Sequence, residues 1–387
     1  MSKSVKEVII GTMKNGPEVM NELAMAKKIG NDIEIQRGDV RRKIAQYHPP
    51  FINLKVIEKE EINPVAVRIR LSAVDGTLPV FEAGQYINIF VEVDNCKTSR
   101  PYSIATPPSQ RGYYDIIVGR IEDGFVSDYL MDSLKVGQEL VSTGPMGAFR
   151  YQPIHHKKHQ VMLAGGSGIT PMQSMTLEAL GRGLDRQITL FYGIRKIEYA
   201  INHELFKKLE KDHPNFTYVP VLSEEESQEH ECGFISKDII SKYIPNLNEA
   251  TFFLCGPEVM NTYCVDQLQS MGVRPAMIRR ELFQSRRDIE NEKGWPESIS
   301  PMDEFKIKCA GHTFKAKAGE NILTALERQN IEVKVGCRSG ECSYCRMKLV
   351  SGQIYTAQGN LARLADEVFG YIHVCKTYPI SDIELEF

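Results

Sequence analysis

The hydrophobic and polar positions along this chain change their spacing from one region to the next. From residue 51 to about residue 152 they alternate over short stretches, as in Tyr86-Ile87-Asn88-Ile89-Phe90-Val91, and Gly, Asp and Pro separate the stretches. Alternation with a period of two gives a strand one buried face, and many short strands with turn residues between them are typical of an antiparallel barrel. The pattern therefore predicts a β-barrel domain over residues 51–157.

Between residues 158 and 283 the pattern becomes strand, helix, strand. Apolar runs alternate there with segments of helical period, and the runs cover residues 161–164, 188–192, 217–222 and 251–254. This alternation predicts an α/β domain built on a parallel sheet, with ligands bound at the carboxyl ends of its strands.

The remaining regions are simpler. Residues 1–50 are rich in charged side chains and compatible with a helix that has Pro17 in its first turn, so we expect a helical extension, interpreted as a packing or oligomerisation element. Residues 284–302 are polar and without a period, which predicts a linker. Residues 303–387 combine a predicted hairpin (305–309 and 312–316) with a predicted helix (321–328), which is an α+β pattern.

Composition narrows the function classes. The formal net charge is -3, with 42% hydrophobic and 25% charged residues, and a nucleic-acid binder would show a basic excess. The sequence contains no apolar run of transmembrane length and no secretory signal, and its nine cysteines follow no disulfide pattern. We therefore expect a cytoplasmic protein with neither a nucleic acid nor a membrane as partner.

Four cysteines near the end of the chain have the spacing of metal ligands. Cys337, Cys342 and Cys345 form a C-x4-C-x2-C run, and Cys375 follows. This spacing fits a plant-type 2Fe-2S cluster, which needs four thiolates. A zinc site is the alternative, but structural zinc sites usually carry two C-x2-C-like pairs. The other cysteines that lack a motif are predicted to be packed in cores, namely Cys96, Cys232, Cys264 and Cys309.

Two motifs stand in the predicted barrel. In Arg100-Pro101-Tyr102-Ser103, the arginine offers a fork for a phosphate, the tyrosine a flat face for a ring and the serine a hydroxyl for a ring nitrogen. The segment Gly124-Phe125-Val126-Ser127 opens a short predicted helix, whose first N–H groups would stabilise a pyrophosphate.

Two further motifs end strands of the predicted parallel sheet. Gly166-Ser167-Gly168-Ile169-Thr170-Pro171 lets a diphosphate approach the backbone, with Pro171 suited to the first turn of a helix. Cys255-Gly256-Pro257 follows the fourth strand, and from the residue alone Cys255 could be a small core side chain.

Together these motifs resemble the ferredoxin-NADP reductase-like superfamily. The resemblance implies an FAD, rather than an FMN, lying along Tyr102 and Ser103. It implies that the flavin phosphates meet Arg100 and the amides of residues 125–127, and that the NAD(P) pyrophosphate meets residues 166–171. Cys255 would align the nicotinamide for hydride transfer, with Glu281 and Phe283 near the active ring. A core role for Phe283 remains the alternative.

The resemblance leaves the nucleotide open. Arg195 and Lys196 suit the 2′-phosphate of NADPH, whereas Glu198 suits the ribose hydroxyl of NADH. The catalytic residues implied are Ser103, Cys255 and Phe283. The implied cofactor-binding residues are Arg100, Pro101, Tyr102, Ser103, Gly124, Phe125, Val126, Ser127, Gly166, Ser167, Gly168, Thr170, Pro171, Arg195, Gly256, Pro257, Glu281 and Phe283.

The implied function is electron transfer in three steps. The resemblance extends to reductase components with a C-terminal ferredoxin domain of β-grasp type, which serve Rieske-type or other multicomponent oxygenases. A hydride would pass from NADH or NADPH to the flavin, and single electrons would pass through the cluster to a separate protein acceptor. The alternatives are a non-oxygenase acceptor, such as a corrinoid protein or a dehydratase-type partner in an anaerobe, and a subunit fed by a partner's flavin. Four basic residues near the ligands suggest an acidic surface on the acceptor, namely Arg338, Arg346, Lys348 and Lys376.

Overall fold

The structure is a computed structural model that describes residues 10, 12–28, 44, 48–122, 124–283 and 288–387. The chain divides into two units, residues 1–50 and residues 51–387. In the first unit, helix α1 spans Gly16–Lys28, so Pro17 lies in its first turn as expected. Within the described ranges, no helix is both long enough and apolar enough to cross a membrane.

The second unit begins with an antiparallel sheet that curves into a barrel. Its strands are β1 (Phe51–Asn63), β2 (Ala66–Ala73), β3 (Tyr86–Val93), β4 (Cys96–Ser103), β5 (Tyr114–Gly119) and β6 (Glu139–Thr143), in the order β4-β3-β6-β1-β2-β5. A single bridge between Ile104 and Ile116 joins the two edges of the sheet. Alternate residues of the strands, such as Leu54, Val56, Ile69 and Leu71, are fully buried, as the period of two predicts.

The second sheet is parallel and lies between helices, as predicted. Its strands are β7 (His159–Gly165), β8 (Gln187–Ile194), β9 (Phe216–Leu222), β10 (Glu231–Cys232), β11 (Ala250–Cys255) and β12 (Ile278–Glu281), in the order β10-β9-β8-β7-β11-β12. The helices are α2 (Ile169–Gly181), α3 (His203–Asp212), α4 (Lys237–Tyr243) and α5 (Glu258–Ser270). The predicted apolar runs form the central strands because both faces of a parallel sheet are covered.

The C-terminal part is an α+β fold built on a mixed sheet. Its strands are β13 (Glu304–Cys309), β14 (His312–Lys317), β15 (Arg346–Ser351), β17 (Tyr371–His373) and β19 (Ile383–Glu386), in the order β14-β13-β19-β15-β17. A small second sheet pairs β16 (Ile354–Thr356) with β18 (Thr377–Pro379), and the helices are α6 (Ile322–Arg328) and α7 (Leu364–Val368). The predicted hairpin is β13–β14, and Asn321 caps α6 by accepting from the Thr324 amide at 2.9 Å.

Two sequence-based expectations need revision. The segment 288–302, expected to connect rather than fold, packs on the C-terminal fold: Trp295 contacts Tyr355 and Tyr378, and Ile289 is fully buried. Cys232, expected in a core, is exposed because it ends the short edge strand β10. Of the other motif-free cysteines, Cys264 and Cys309 are buried and Cys96 is half-buried.

Candidate active site and cluster site

Strand β4 carries the first predicted motif. Ser103 lies directly opposite Tyr86 of β3 and is buried. Its hydroxyl finds no hydrogen-bond partner within the described part of the chain. A buried hydroxyl without a partner is costly, so a ligand that bonds to it would be stabilised there. This fits the flavin ring that the sequence predicts along Tyr102 and Ser103.

Arg100 of the same motif is half-buried and faces the C-terminal fold. Its Nη1 donates to Thr98 Oγ1 at 2.6 Å and to the Ser99 carbonyl at 2.8 Å. Burial, and then the positive charge of Arg338, lower the pKa of Arg100 to about 10. The phosphate contact predicted for Arg100 stays a prediction, and Pro101 lies beside it opposite Asn88.

The second barrel motif forms a tight helical turn. Residues 126–128 are helical and continue into a wider turn over residues 129–133. Gly124 leaves room for the turn, because a Cβ at that position would lie 2.9 Å from the Ile121 carbonyl oxygen. Val126 and Ser127 are buried, whereas Phe125 is exposed. Asp123, which precedes this motif, lies outside the described residues.

The glycine motif connects β7 to α2. Gly166, Ser167 and Gly168 form a 3-10 turn, and Thr170 Oγ1 donates to the Ser167 carbonyl at 2.8 Å. A Cβ on Gly168 would lie 2.1 Å from the Cys255 carbonyl oxygen. The two predicted nucleotide motifs, one on β7 and one on β11, therefore meet at the carboxyl end of the sheet.

Pro171 lies in the first turn of α2 as expected, and Gly256 and Pro257 follow Cys255 into helix α5. Gly256 lies close to the backbone at the start of the glycine motif, because a Cβ on Gly256 would be 3.0 Å from the Gly165 nitrogen. Close backbone contact of this kind leaves the N–H groups of both turns at one edge, where an anion is favoured.

Cys255 pairs with Glu281 across strands β11 and β12, and both side chains are buried. Burial is the main cause that raises the pKa of each well above its ordinary range. This shift favours the neutral thiol at Cys255, which suits a positioning role. Over the residues that the structure describes, Glu281 Oε2 has no hydrogen-bond partner, so this oxygen is available to a ligand.

Tyr86 is a site residue that the motif analysis did not select. Its ring stands edge-on to Phe283, with centroids 5.8 Å apart and planes at 85°. Its hydroxyl lies close to Gly336, the residue before the first predicted cluster cysteine, because a Cβ built on Gly336 would be 3.5 Å from it. Tyr86 could have been recognised by its position opposite Ser103, but that position depends on the strand register, which the sequence did not give. Phe283 also contacts the parallel-sheet core, so both of its predicted roles remain compatible with its position.

The loop after β8 contains the predicted nucleotide-selecting residues. Arg195 is exposed, and its Nε lies 3.5 Å from Glu224 Oε1. Glu225 Oε2 accepts from the Ile197 amide at 2.9 Å. Sequence reasoning missed these two glutamates because they belong to the next strand's loop, which only the parallel pairing of β8 with β9 brings near.

The four cluster cysteines form two thiol pairs. A hydrogen bond with Cys342 is the main cause that lowers the pKa of Cys337, and one with Cys375 is the main cause that lowers the pKa of Cys345. Backbone amides of Ser339 and Glu341 donate to Cys337 Sγ, each at 3.4 Å. This set of sulfurs and amides fits a binuclear cluster with two thiolates on each iron.

The zinc alternative fits this arrangement less well. A structural zinc ion needs its four ligands around one point. The C-x4-C-x2-C run does not form the two C-x2-C-like pairs that such sites usually carry, so the spacing favours the iron-sulfur interpretation.

Two of the four basic residues assigned to a partner surface are buried, so that interpretation is wrong for them. Arg338 is 7% exposed and bonds to Glu327 at 2.6 Å. Lys376 is fully buried, with its Nζ 3.4 Å from Glu258 of α5. Arg346 is half exposed beside Asp366, and Lys348 is exposed.

Three parts of the chain match known families. Residues 53–151 match the oxidoreductase FAD-binding domain, residues 162–266 the oxidoreductase NAD-binding domain, and residues 305–379 the 2Fe-2S iron-sulfur cluster binding domain. The NADH-cytochrome b5 reductase 1 of Dictyostelium discoideum is 33% identical over 199 residues, which cover 50% of this chain and 68% of that protein. The chain belongs to the ferredoxin-NADP reductase-like superfamily.

Two further relatives are components of oxygenase systems by name. The phenol hydroxylase P5 protein of Acinetobacter pittii is 34% identical over 236 residues, which cover 60% of this chain and 65% of that protein. The glycine betaine monooxygenase reductase subunit of Chromohalobacter salexigens is 27% identical over 326 residues, which cover 79% of this chain and 87% of that subunit.

The order of the three parts is also found in a solved structure. Phthalate dioxygenase reductase matches with a TM-score of 0.65 at 24% identity. The match covers 87% of this chain and 98% of phthalate dioxygenase reductase. The arrangement of barrel, parallel sheet and C-terminal α+β fold is thus a shared fold. According to the three family matches, the cofactors of this chain are an FAD, a nicotinamide nucleotide and a 2Fe-2S cluster.

Proposed function

We propose that this protein is an NADH-dependent reductase that passes electrons through its flavin and 2Fe-2S cluster to the oxygenase component of a multicomponent system. When bound, the flavin accepts a hydride and releases single electrons, and the cluster carries them one at a time. The names of the phenol hydroxylase and glycine betaine monooxygenase relatives support an oxygenase as the acceptor. A reducing cytoplasm suits cysteines that act as thiolate ligands and is the proposed location.

The observation that carries the proposal is a contact between strand β3, which pairs with the predicted flavin-binding strand β4, and the loop that contains the predicted cluster cysteines. Asn88 Nδ2 donates to the Gly336 carbonyl at 3.0 Å and to the Val335 carbonyl at 3.3 Å. Asn88 is on β3, two residues beyond Tyr86, the cross-strand neighbour of Ser103. The predicted flavin site and the cluster loop therefore share one interface, as direct electron transfer between them requires.

Side chains of the chain have distinct proposed roles at this interface. Ser103 would donate a hydrogen bond to the flavin ring. Cys255 would hold the nicotinamide ring against the flavin for hydride transfer, and the Glu281 carboxyl beside Cys255 would donate a hydrogen bond to the bound ligand. The T-shaped pair of Tyr86 and Phe283 would exclude water from the ring.

The choice of NADH rests on charge at the carboxyl end of β8. A 2′-phosphate placed near Arg195 would also meet Glu224, which already pairs with that arginine, and Glu225 beside it. Carboxylates at this place favour a ribose diol over a phosphate, since a glutamate accepts hydrogen bonds from hydroxyls and repels an anion.

Anaerobic titration of the purified protein tests the proposal. Flavin and cluster absorbance are followed together while NADH, or separately NADPH, is added. Flavin bleaching by NADH followed by cluster bleaching is the expected result. Reduction by dithionite but by neither nucleotide would instead identify a subunit that receives electrons from a partner. Transfer onward is tested by adding a candidate oxygenase component and measuring reoxidation of the cluster.

A further inference from the structure

A buried ion pair joins the cluster loop to the barrel. Arg338, the residue after the first cluster cysteine, bonds to Glu327 of α6 through Nη1 at 2.6 Å and Nη2 at 2.8 Å. The two side chains are 8% and 9% exposed. Arg338 Nη1 also donates to the Ser99 carbonyl of β4 at 3.1 Å. A forked, buried arginine of this kind fixes the geometry of both partners.

The barrel contributes side chains to the same network. Thr98 Oγ1 donates to Glu327 Oε2 at 3.0 Å and accepts from Arg100 Nη1 at 2.6 Å. Thr98 therefore joins the half-buried Arg100 to the buried pair of Glu327 and Arg338, and the charges alternate along this line. Alternating charge stabilises the line as a unit, and removing one member leaves its neighbours buried and unpaired.

The backbone at Arg338 has a conformation that needs support. Its φ is +58°, in the left-handed region that costs a non-glycine residue free energy. The contacts of its side chain with α6 and β4 offset that cost. The shape of the loop between Cys337 and Cys342 therefore depends on groups outside the loop.

We propose that Arg338 is a positioning residue, which acts with Glu327 and Thr98 to hold the cluster loop at a fixed place against β4. The role rests on the proposed function, since it sets the distance that electrons cross between the flavin site on β4 and the cluster. Electron transfer becomes steeply slower as this distance grows, so a rigid contact keeps the step fast without a domain movement.

Two substitutions on opposite sides of the interface test this role. Glu327→Gln removes the central charge from α6 without altering the cluster loop, and Thr98→Val removes the hydrogen bond from the barrel. Arg338→Lys keeps the charge but loses the fork. Arg328→Met is the matched control, because Arg328 is on the same helix and pairs at 2.6 Å with Glu320 at the surface.

Hydrogen exchange of the complete protein provides a readout that does not depend on activity. In Glu327→Gln and Thr98→Val, we expect faster exchange in β4, an edge strand of the barrel sheet, and in α6. Strand β8 should be unchanged. Arg328→Met should match the unaltered protein in all three segments.

Stopped-flow reduction by NADH separates the two steps. In Glu327→Gln and Arg338→Lys, we expect flavin reduction to stay within about twofold, while the following cluster reduction slows by about tenfold or more. Unchanged exchange and an unchanged cluster rate in Glu327→Gln, with the cluster spectrum intact, would overturn the positioning role. Absence of flavin reduction by either nucleotide in the unaltered protein would instead overturn the proposed function, and the exchange result would still decide the role of the pair in docking.

Discussion

Gly168 lies directly against the carbonyl group of Cys255. A Cβ at position 168 would be 2.1 Å from that oxygen and 2.7 Å from the Gly256 nitrogen, although the φ of Gly168 is an ordinary -63°. Lack of space, and not backbone strain, therefore requires glycine here. The contact sets the distance between the two turns that are proposed to hold the nucleotide.

Substituting Gly168→Ala should therefore separate these turns. We expect a loss of about 1–3 kcal/mol in the free energy of unfolding from the steric conflict. We also expect a rise of about tenfold or more in the KM for NADH, while reduction by dithionite is unaffected. Gly181→Ala is the matched control, because Gly181 ends helix α2, which Gly168 precedes, and a Cβ there meets nothing within 4 Å. An equal effect of both substitutions on KM would contradict this account.

The nucleotide preference should depend on Glu224. Replacing Glu224 by Gln removes the carboxylate that pairs with Arg195 and frees that guanidinium for a 2′-phosphate. We expect kcat/KM for NADPH to rise about tenfold relative to NADH, equivalent to about 1.4 kcal/mol. Glu226→Gln makes the same charge change at an exposed neighbour and should leave the ratio unaltered. A protein that prefers NADPH before any substitution would refute the assignment.

His156 should make stability depend on pH. It packs edge-on against Phe253 and accepts from the Gln152 amide at 3.0 Å. Burial, followed by the charges of Arg279 and His155, lowers its pKa from 6.5 to about 4. Between these values the unfolded chain binds a proton that the folded chain does not, so stability is fully present above pH 6.5 and falls as the pH falls toward 4.

The contribution at stake is of the order of 2–3 kcal/mol. His156→Gln keeps a hydrogen-bond acceptor without a titratable ring, so its thermal midpoint should lose less between pH 7 and pH 4.5 than that of the unaltered protein. His312→Gln, at an exposed position on β14, should show the unaltered pH dependence. Parallel curves for all three proteins would show that His156 does not contribute.

The sequence predicted those parts of the fold that depend on residues close to one another along the chain. The period of two in β3 and the apolar runs of β7 and β11 were sufficient to place strands, because each pattern reflects a local choice of buried face. The glycine motif, the Cys255-Gly256-Pro257 motif and the C-x4-C-x2-C run were also local. The first two of these motifs meet at the carboxyl end of the parallel sheet because of its topology.

Contacts between distant segments were not predictable in the same way. Arg338 stands between Cys337 and Ser339 in a polar loop, which indicates exposure, yet its partners lie on α6 and on a strand 239 residues earlier. Lys376 is buried for a comparable reason, through Glu258 of α5. Tyr86 carries no motif, and only the register of β3 with β4 places it beside Ser103. Sequence reasoning therefore proposed the ligands from local spacing and missed the residues that join distant segments.

The fourth cluster cysteine offers a test that separates the flavin from the cluster. Cys375 is 1% exposed and pairs with Cys345, so a serine there removes one thiolate of the second pair. We expect Cys375→Ser to lose most of its acid-labile sulfide and its electron transfer to one-electron acceptors such as cytochrome c. Oxidation of NADH by dyes that react with the flavin should continue, since the nucleotide and flavin sites lie on other sheets.

Cys309→Ser serves as the control for this substitution. Cys309 is also 1% exposed in the same α+β fold but is on β13, away from the ligand loop. Its replacement buries a hydroxyl and should cost about 1–3 kcal/mol in stability while the cluster is retained. If dye reduction disappears together with cytochrome c reduction in Cys375→Ser while flavin remains bound, then hydride transfer depends on the cluster. The order of electron transfer proposed for this reductase would then be wrong.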